Sequence, residues 1–176
     1  MRPPACHPAA ASVAESALPL PDPAATDALG IALADRLAAG ETVLLAGPIG
    51  AGKSHLARAL IQARFRRAGR AAPDVPSPTY TLVQPYAAPG GELVHADLYR
   101  LADPSELEEL GLTEAFGEAL CLVEWPDRLG AAAPDEALRI EMSMAGEGRR
   151  AVLTGPAAHW AARLAALRAA MAQARG

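Results

Sequence analysis

The sequence predicts an α/β fold in which a sheet with flanking helices includes an antiparallel hairpin, and three observations lead there. Residues Gly47-Pro48-Ile49-Gly50-Ala51-Gly52-Lys53-Ser54 match the phosphate-binding pattern G-x-x-x-x-G-K-[ST] at every position. The loop follows a short apolar, partly β-branched run, Glu41 to Ala46, and precedes Lys53 to Arg67, which continues without Gly or Pro. Strand, glycine loop and helix therefore come in the order such a loop requires. Further along, apolar runs alternate with Gly- and Pro-rich turns and with short helical patterns, so the whole is expected to be a P-loop NTPase-like sheet. A chain of 176 residues is long enough for one such domain with a substantial core and too short for two comfortable ones.

Residues 1–17 are low-complexity Ala/Pro sequence with little apolar bulk to offset the entropy of ordering, so they are expected to be a poorly ordered extension, and 18–176 the domain. Asp22 can cap a helix with Pro23 at its first position, and Leu29, Leu33 and Leu37 give it an apolar stripe ending at Gly40. That helix leads into the strand, loop and helix just described. Residues 69–78 are rich in Gly, Ala and Pro and form a connection, after which 81–86 and 92–98 read as strands around the turn Pro89-Gly90-Gly91. Asp103 as cap, Pro104 at the first position and Glu106, Glu108 and Glu109 in the first turn open a helix that Gly111 ends, and a second short helix covers 113–116. Leu120-Cys121-Leu122-Val123-Glu124 is a buried strand ending in an acid. Residues 138–144 and 151–154 are late strands joined by a turn at 145–148. Residues 156–174 close the chain as a helix whose Leu164, Leu167 and Met171 read first as a core-packing stripe and second as a partner surface.

Composition narrows the function. The hydrophobic fraction of 51% owes much to alanine and aromatics are only 4%, so the core is built from Leu, Val, Ile and Ala. Net charge is −4, with no basic cluster strong enough for sequence-independent nucleic-acid binding by the free chain. The densest basic group, Arg64, Arg66, Arg67 and Arg70, is either the solvated end of the loop helix, where cations suit the dipole, or an RNA-contact patch. Cys6 and Cys121 make no disulfide framework and have no metal-ligand spacing with the four histidines, which fits a reducing cytoplasm. No apolar stretch approaches the ~20 residues of a membrane helix, and prolines break up the opening segment, which does not read as a signal peptide.

Lys53 is the sole lysine of the chain; every other basic position is arginine. A compact ammonium can enter a loop wrapped around a polyphosphate where a planar guanidinium cannot. In that loop the N–H groups of Gly50 to Ser54 are expected to converge on a β-phosphate, Lys53 to bridge the β- and γ-phosphates, and the Ser54 hydroxyl to sit on Mg²⁺. Hydrolysis or transfer also needs an acid at the tip of a neighbouring strand. Glu124 and Asp97 both qualify: Glu124 is expected to act through the metal, and Asp97 either completes the site or caps its own Tyr99-Arg100 turn. Ser77-Pro78-Thr79-Tyr80-Thr81 either places a hydroxyl near the γ-phosphate or is a proline-initiated turn leading into a strand.

Gly50 to Ser54, Ser77 to Val83, His95-Ala96-Asp97-Leu98-Tyr99-Arg100-Leu101 and Leu122-Val123-Glu124-Trp125-Pro126, in this order, resemble the TsaE family over about residues 20 to 155. The resemblance implies a cytoplasmic ATPase that docks on a TsaB–TsaD pair and supports threonylcarbamoyladenosine modification of tRNA at the adenosine next to the anticodon. It implies ATP and Mg²⁺ as cofactors, with tRNA met through the complex. It gives Lys53 the phosphates, Ser54 and Glu124 the Mg²⁺, and Asp97 the place of a second acid needed for activity. Gly47, Ile49, Gly50, Ala51, Gly52 and His55 complete the loop contacts. Thr79 and Tyr80 belong to the nucleotide-sensitive segment, Trp125 lies near the pocket or in the core, and Thr26 and Arg149 resemble outer nucleotide contacts. Pro48 departs from the family's usual Asp, and His55 from a common hydroxyl residue. Two other functions compete: a P-loop small-molecule kinase, for which Asp127 to Pro134 with only Arg128 is a poor lid, and a nucleotide-gated, non-catalytic binding module.

Overall fold

The structure is a computed structural model and describes residues 12–103 and 105–174. In chain order the elements are β1 (Val13–Leu20), α1 (Pro23–Ala34), β2 (Thr42–Ala46), α2 (Lys53–Arg67), β3 (Val83–Ala88), β4 (Gly91–Asp97), α3 (Glu106–Glu109), α4 (Leu112–Ala115), β5 (Leu120–Glu124), a 3₁₀ segment (Pro126–Ala132), β6 (Leu138–Ala145), β7 (Gly148–Pro156) and α5 (Ala157–Gln173). The strands form one seven-stranded sheet in the order β1-β7-β6-β2-β5-β4-β3. Its centre, β6-β2-β5-β4, is parallel, and β7, β1 and β3 are added antiparallel at the two ends. The α/β sheet with flanking helices and a hairpin, β3–β4, is therefore observed.

Parallel strands are buried on both faces, and here the alternation of side chains divides the core in two. Val43, Leu45, Leu93, Leu120 and Leu122 pack with Leu33 of α1, Leu56 and Leu60 of α2 and Leu164 of α5. The residues between them, Leu44, Val94, Ala96, Cys121 and Val123, pack with Leu107, Leu112 and Leu129 on the other face. Burial pushes the Cys121 thiol up to about 12, so it is an inert core residue. α1 and α2 approach closely because Gly30 has no side chain: a Cβ there would fall 2.6 Å from the Ala59 Cβ. Leu164, Leu167, Met171 and Trp160 form the buried stripe of α5, the core-packing reading of that helix.

Several expectations need correction. Residues 13–17 are not part of a disordered extension: they are most of β1, which pairs with β7 from Val13↔Pro156 to Leu20↔Arg149. The physical reason is the alternation of Ser16, Leu18 and Leu20, whose side chains are buried while the residues between them are exposed. Residues 1–11, with Cys6, lie outside the described residues, as does Pro104. Asp22 caps α1 by accepting the Ala25 N–H at 2.8 Å, but the helix stops at Ala34, before Gly40. β3 starts at Val83 and ends at Ala88, later than expected, and Pro85 is tolerated because β3 is a sheet edge. β7 is nine residues long rather than four, since its partners β1 and β6 on both sides satisfy its backbone.

The arginines after the phosphate loop are spent on the fold itself. Arg64 donates to the Ala34 and Leu37 carbonyls at 3.2 and 2.9 Å, Arg67 pairs with Asp35, and Arg70 reaches the Ala87 carbonyl at 3.2 Å. They tie the end of α2 to α1 and β3, which favours the structural reading over an RNA patch.

Candidate phosphate-binding site

β2 ends at Ala46 and α2 begins at Lys53, so the loop between them lies at the carboxyl ends of the parallel strands, where ligands collect in open α/β sheets. Gly47 has φ +127°, and a Cβ on it would fall 2.1 Å from the Met142 carbonyl oxygen, so only glycine passes β6 here. Gly52, with φ +99°, caps α2 without any side-chain bond. The first N–H groups of a helix have no intrahelical acceptor, and here they form the positive end of α2 at the loop. Pro48 lacks an N–H but offers its carbonyl, which accepts from Ala51 N at 3.2 Å. Of the loop amides expected to converge on a phosphate, that of Ala51 is thus engaged within the loop. Ile49 stands at the tip, 73% exposed.

Lys53 folds back into this loop. Its Nζ donates to the Gly47 and Pro48 carbonyls at 2.8 and 2.9 Å and lies 4.1 Å from the centroid of the Trp125 ring. Burial lowers the ammonium pKa from its ordinary value, against the pull of Glu124, Asp97 and Glu141, which raises it. Asp97 and Glu124 end β4 and β5 opposite one another, and Glu141, midway along β6, lies opposite Ala46 at the end of β2. Trp125, at φ +59°, turns the chain sharply after Glu124; it is partly buried, packs against the rim of the second core cluster and lies 5.0 Å from the Tyr99 ring at a tilt of 47°.

Glu124 is 2% exposed, and each of its oxygens has a donor. Oε2 accepts the Ser54 hydroxyl at 2.8 Å, and Oε1 bonds His95 Nε2 at 2.9 Å. Asp97 Oδ2 accepts from the Ser77 and Thr79 hydroxyls at 2.9 and 2.7 Å, while Oδ1 takes the Tyr99 N–H at 3.1 Å. The expected cap on the Tyr99 turn is made, and the same carboxylate also anchors the Ser77 to Thr81 segment. That segment bends tightly: Leu82 has φ +62° and donates its N–H to the Pro78 carbonyl at 2.6 Å. Tyr80 is exposed, with Arg100 stacked 4.5 Å from its ring.

A separate crevice of about 240 Å³ opens on the other side of the loop. Thr26, Gly52, His55 and Arg149 line it, so residues far apart in sequence meet there. Arg149 donates from Nε and Nη2 to the Gly50 carbonyl at 3.2 and 3.1 Å, and His55 bonds Asp27 at 2.7 Å. Sequence reasoning left His95 without a role. Its only signal was a polar residue inside an apolar strand, two positions before Asp97 and therefore on the same face.

The donor set suits a magnesium ion. Ser54 Oγ and Glu124 Oε2, 2.8 Å apart, are two hard oxygen atoms of the kind that bind it. Among the described residues no three His, Cys, Asp or Glu side chains gather into a metal cage.

A glycine loop between strand and helix, a buried lysine within it and acids at the neighbouring strand tips define a P-loop NTPase-like α/β protein. The family model for threonylcarbamoyl adenosine biosynthesis protein TsaE matches residues 20–152. The chain belongs to the TsaE family of tRNA threonylcarbamoyladenosine biosynthesis proteins. The TsaE protein of Streptomyces coelicolor is 34% identical over 141 residues, 76% of this chain and 92% of that one. That of Haemophilus influenzae is 44% identical over 87 residues, 49% of this chain and about half, 52%, of its own length. The crystal structure of Bacillus subtilis YdiB superposes with a TM-score of 0.68 over 94% of this chain and 99% of that one, at 24% identity, which shows a shared fold. Among the described residues no helix is long and apolar enough to cross a membrane.

Proposed function

We propose that this protein binds and hydrolyses ATP with Mg²⁺ as an accessory factor for threonylcarbamoyladenosine modification of tRNA at the adenosine next to the anticodon. It acts in the cytoplasm through a TsaB–TsaD complex. The observation that carries this reading is the 2.8 Å contact between Ser54 and Glu124, a helix hydroxyl and a strand carboxylate meeting beside a lysine-bearing glycine loop. When bound, Mg²⁺ would supply positive charge to offset that of the phosphates. Ser54 and Glu124 would hold it. Lys53, now on two loop carbonyls, has the reach within the loop to exchange them for phosphate oxygens, and the start of α2 adds N–H donors. Asp97 is the acid available to orient an attacking water, and its hydrogen bonds to Ser77 and Thr79 couple that task to the exposed Tyr80 segment. Thr26, His55 and Arg149 form the crevice where the rest of the nucleotide would lie.

Turnover by the free chain is expected to be slow. Arg139 is paired with Asp127 and Glu141, and Arg149 is held by the Gly50 carbonyl, so neither is presented to a transferring phosphoryl group. A net charge of −4 and the engaged arginines of α2 support contact with tRNA through the complex rather than by the chain alone. The test is ATP turnover by the purified protein, alone and with TsaB, TsaD and tRNA, with Lys53→Ala as the blank. Stimulation that vanishes in the variant supports the proposal. Turnover indifferent to the complex overturns it and directs attention to phosphoryl acceptors.

A further inference from the structure

His95 is wholly buried on β4, at 0% exposure. Its register partner on β5 is Leu122, two residues before Glu124, so the imidazole meets the glutamate along the diagonal on one face of the sheet. Nε2 lies 2.9 Å from Glu124 Oε1, while Nδ1 is buried without a hydrogen-bond partner. These two facts point to Nε2 as the donor. A proton on Nδ1 alone would bury an unpaired N–H and turn the Nε2 lone pair toward a carboxylate oxygen. A proton on Nε2 leaves only a bare lone pair at Nδ1, the lesser loss. For packing alone, leucine or methionine would fill this space without orphaning a nitrogen. The imidazole instead gives a single directed donor to Glu124.

We propose that His95 is a positioning residue: its Nε2–H holds Glu124 Oε1, so that the carboxylate plane is fixed and Oε2 alone is presented at Ser54 to the metal. This rests on the reading of Ser54 and Glu124 as the magnesium ligands. Without the donor, Oε1 would be an unsatisfied buried oxygen and the carboxylate would rotate to find another. Partners behind a metal ligand commonly govern affinity by about 10- to 100-fold.

The test compares amides of different reach. A glutamine at this position extends its side-chain N–H to where Nε2 stands, whereas an asparagine stops near Nδ1. Binding of ADP is measured by calorimetry with and without Mg²⁺ for wild type, His95→Gln, His95→Asn and His95→Leu, with thermal unfolding confirming that each is folded. The magnesium-dependent gain in affinity should survive in His95→Gln within about threefold and fall by roughly 10- to 100-fold in His95→Asn and His95→Leu, with magnesium-free affinity unchanged. Equal behaviour of the Gln and Asn variants, or equal losses with and without Mg²⁺, would overturn the proposal in favour of a purely structural histidine. If His95→Leu fails to fold, the Gln and Asn pair still decides. Nitrogen-15 NMR of the imidazole in the metal-free protein should show the Nε2–H tautomer, and an Nδ1–H tautomer refutes the hydrogen bond directly. No magnesium effect in wild type would instead overturn the magnesium reading, and the proposal with it, while the tautomer result separates the two failures.

Discussion

Among the described residues are two glutamate–histidine pairs, each beside a tryptophan under a cation, and their surroundings differ. At the phosphate loop, Glu124 bonds His95 and Ser54, and Lys53 lies 4.1 Å from the Trp125 centroid. At the far end of β2, Glu41 bonds His159 at 3.0 Å, and Arg163 lies 4.2 Å from the Trp160 centroid. Only the second pair has its cation bonded to the carboxylate. Arg163 forks onto both Glu41 oxygens and donates as well to the Arg36 carbonyl, and the Ala38 N–H adds a bond at 2.7 Å. Burial raises the Glu41 pKa, but these bonds, that of Arg163 foremost, outweigh it and hold the carboxyl down at about 2. Glu41 is thus a finished clamp that fastens α5 to the start of β2 and the end of α1. Glu124, more deeply buried, receives only hydroxyl and imidazole donors, while Lys53 is held away on loop carbonyls. A buried carboxylate short of a bonded cation fits the role proposed for Glu124 as a magnesium ligand.

The comparison is tested most strongly by activity. Glu124→Ala should lower complex-stimulated ATP turnover by about 100-fold or more, whereas Glu41→Ala should leave it within about twofold. Full turnover in Glu124→Ala would break the contrast outright. Stability should show the reverse order. Removing the guanidinium in Arg163→Ala strands a half-buried carboxylate and should cost about 2–3 kcal/mol, lowering the unfolding midpoint by roughly 4–10 °C. A midpoint unchanged by Arg163→Ala would show that α5 is held by Trp160 and its leucines alone.

Acid sharpens the same point with a smaller effect. Glu41 has a folded pKa of about 2 against an ordinary 4.5, so its contribution is present above that ordinary value and is lost as pH falls through about 2. The stability difference between wild type and Glu41→Gln should therefore shrink by about 1–2 kcal/mol between roughly pH 6 and pH 2, allowing for solvent screening. A constant difference would mean that the clamp does not depend on the charge of Glu41. The smallest signal is optical. Nucleotide should change the fluorescence of Trp125 beside Lys53 and leave Trp160 silent, so the change should disappear in Trp125→Phe and persist in Trp160→Phe.

Legibility in the sequence differed between the same two regions. The loop was readable because its chemistry is local: Gly47, Gly52, Lys53 and Ser54 act through backbone geometry and side-chain type at fixed spacing. The strand Leu120 to Glu124 was readable too, from an uninterrupted apolar run with an acid at its end. β1 was not, since an Ala- and Pro-containing segment becomes a strand only when it pairs with β7, some 130 residues away. Nothing in the run of residues around Glu41, His159 or Arg163 announced a clamp, because its members are separated by 118 and 122 positions. His95 lay within a quoted motif, yet its partner could be found only once the register of β4 against β5 was known.

By itself the sequence determined the phosphate loop, the α/β alternation and the two candidate acids, since each depends on spacing along the chain. Tertiary structure decided the strand order, the placing of β1 and which donor each acid meets. Those contacts, Ser54 to Glu124 across 70 residues and His95 to Glu124 across 29, are set by how the strands and α2 pack in the fold, which no local pattern encodes.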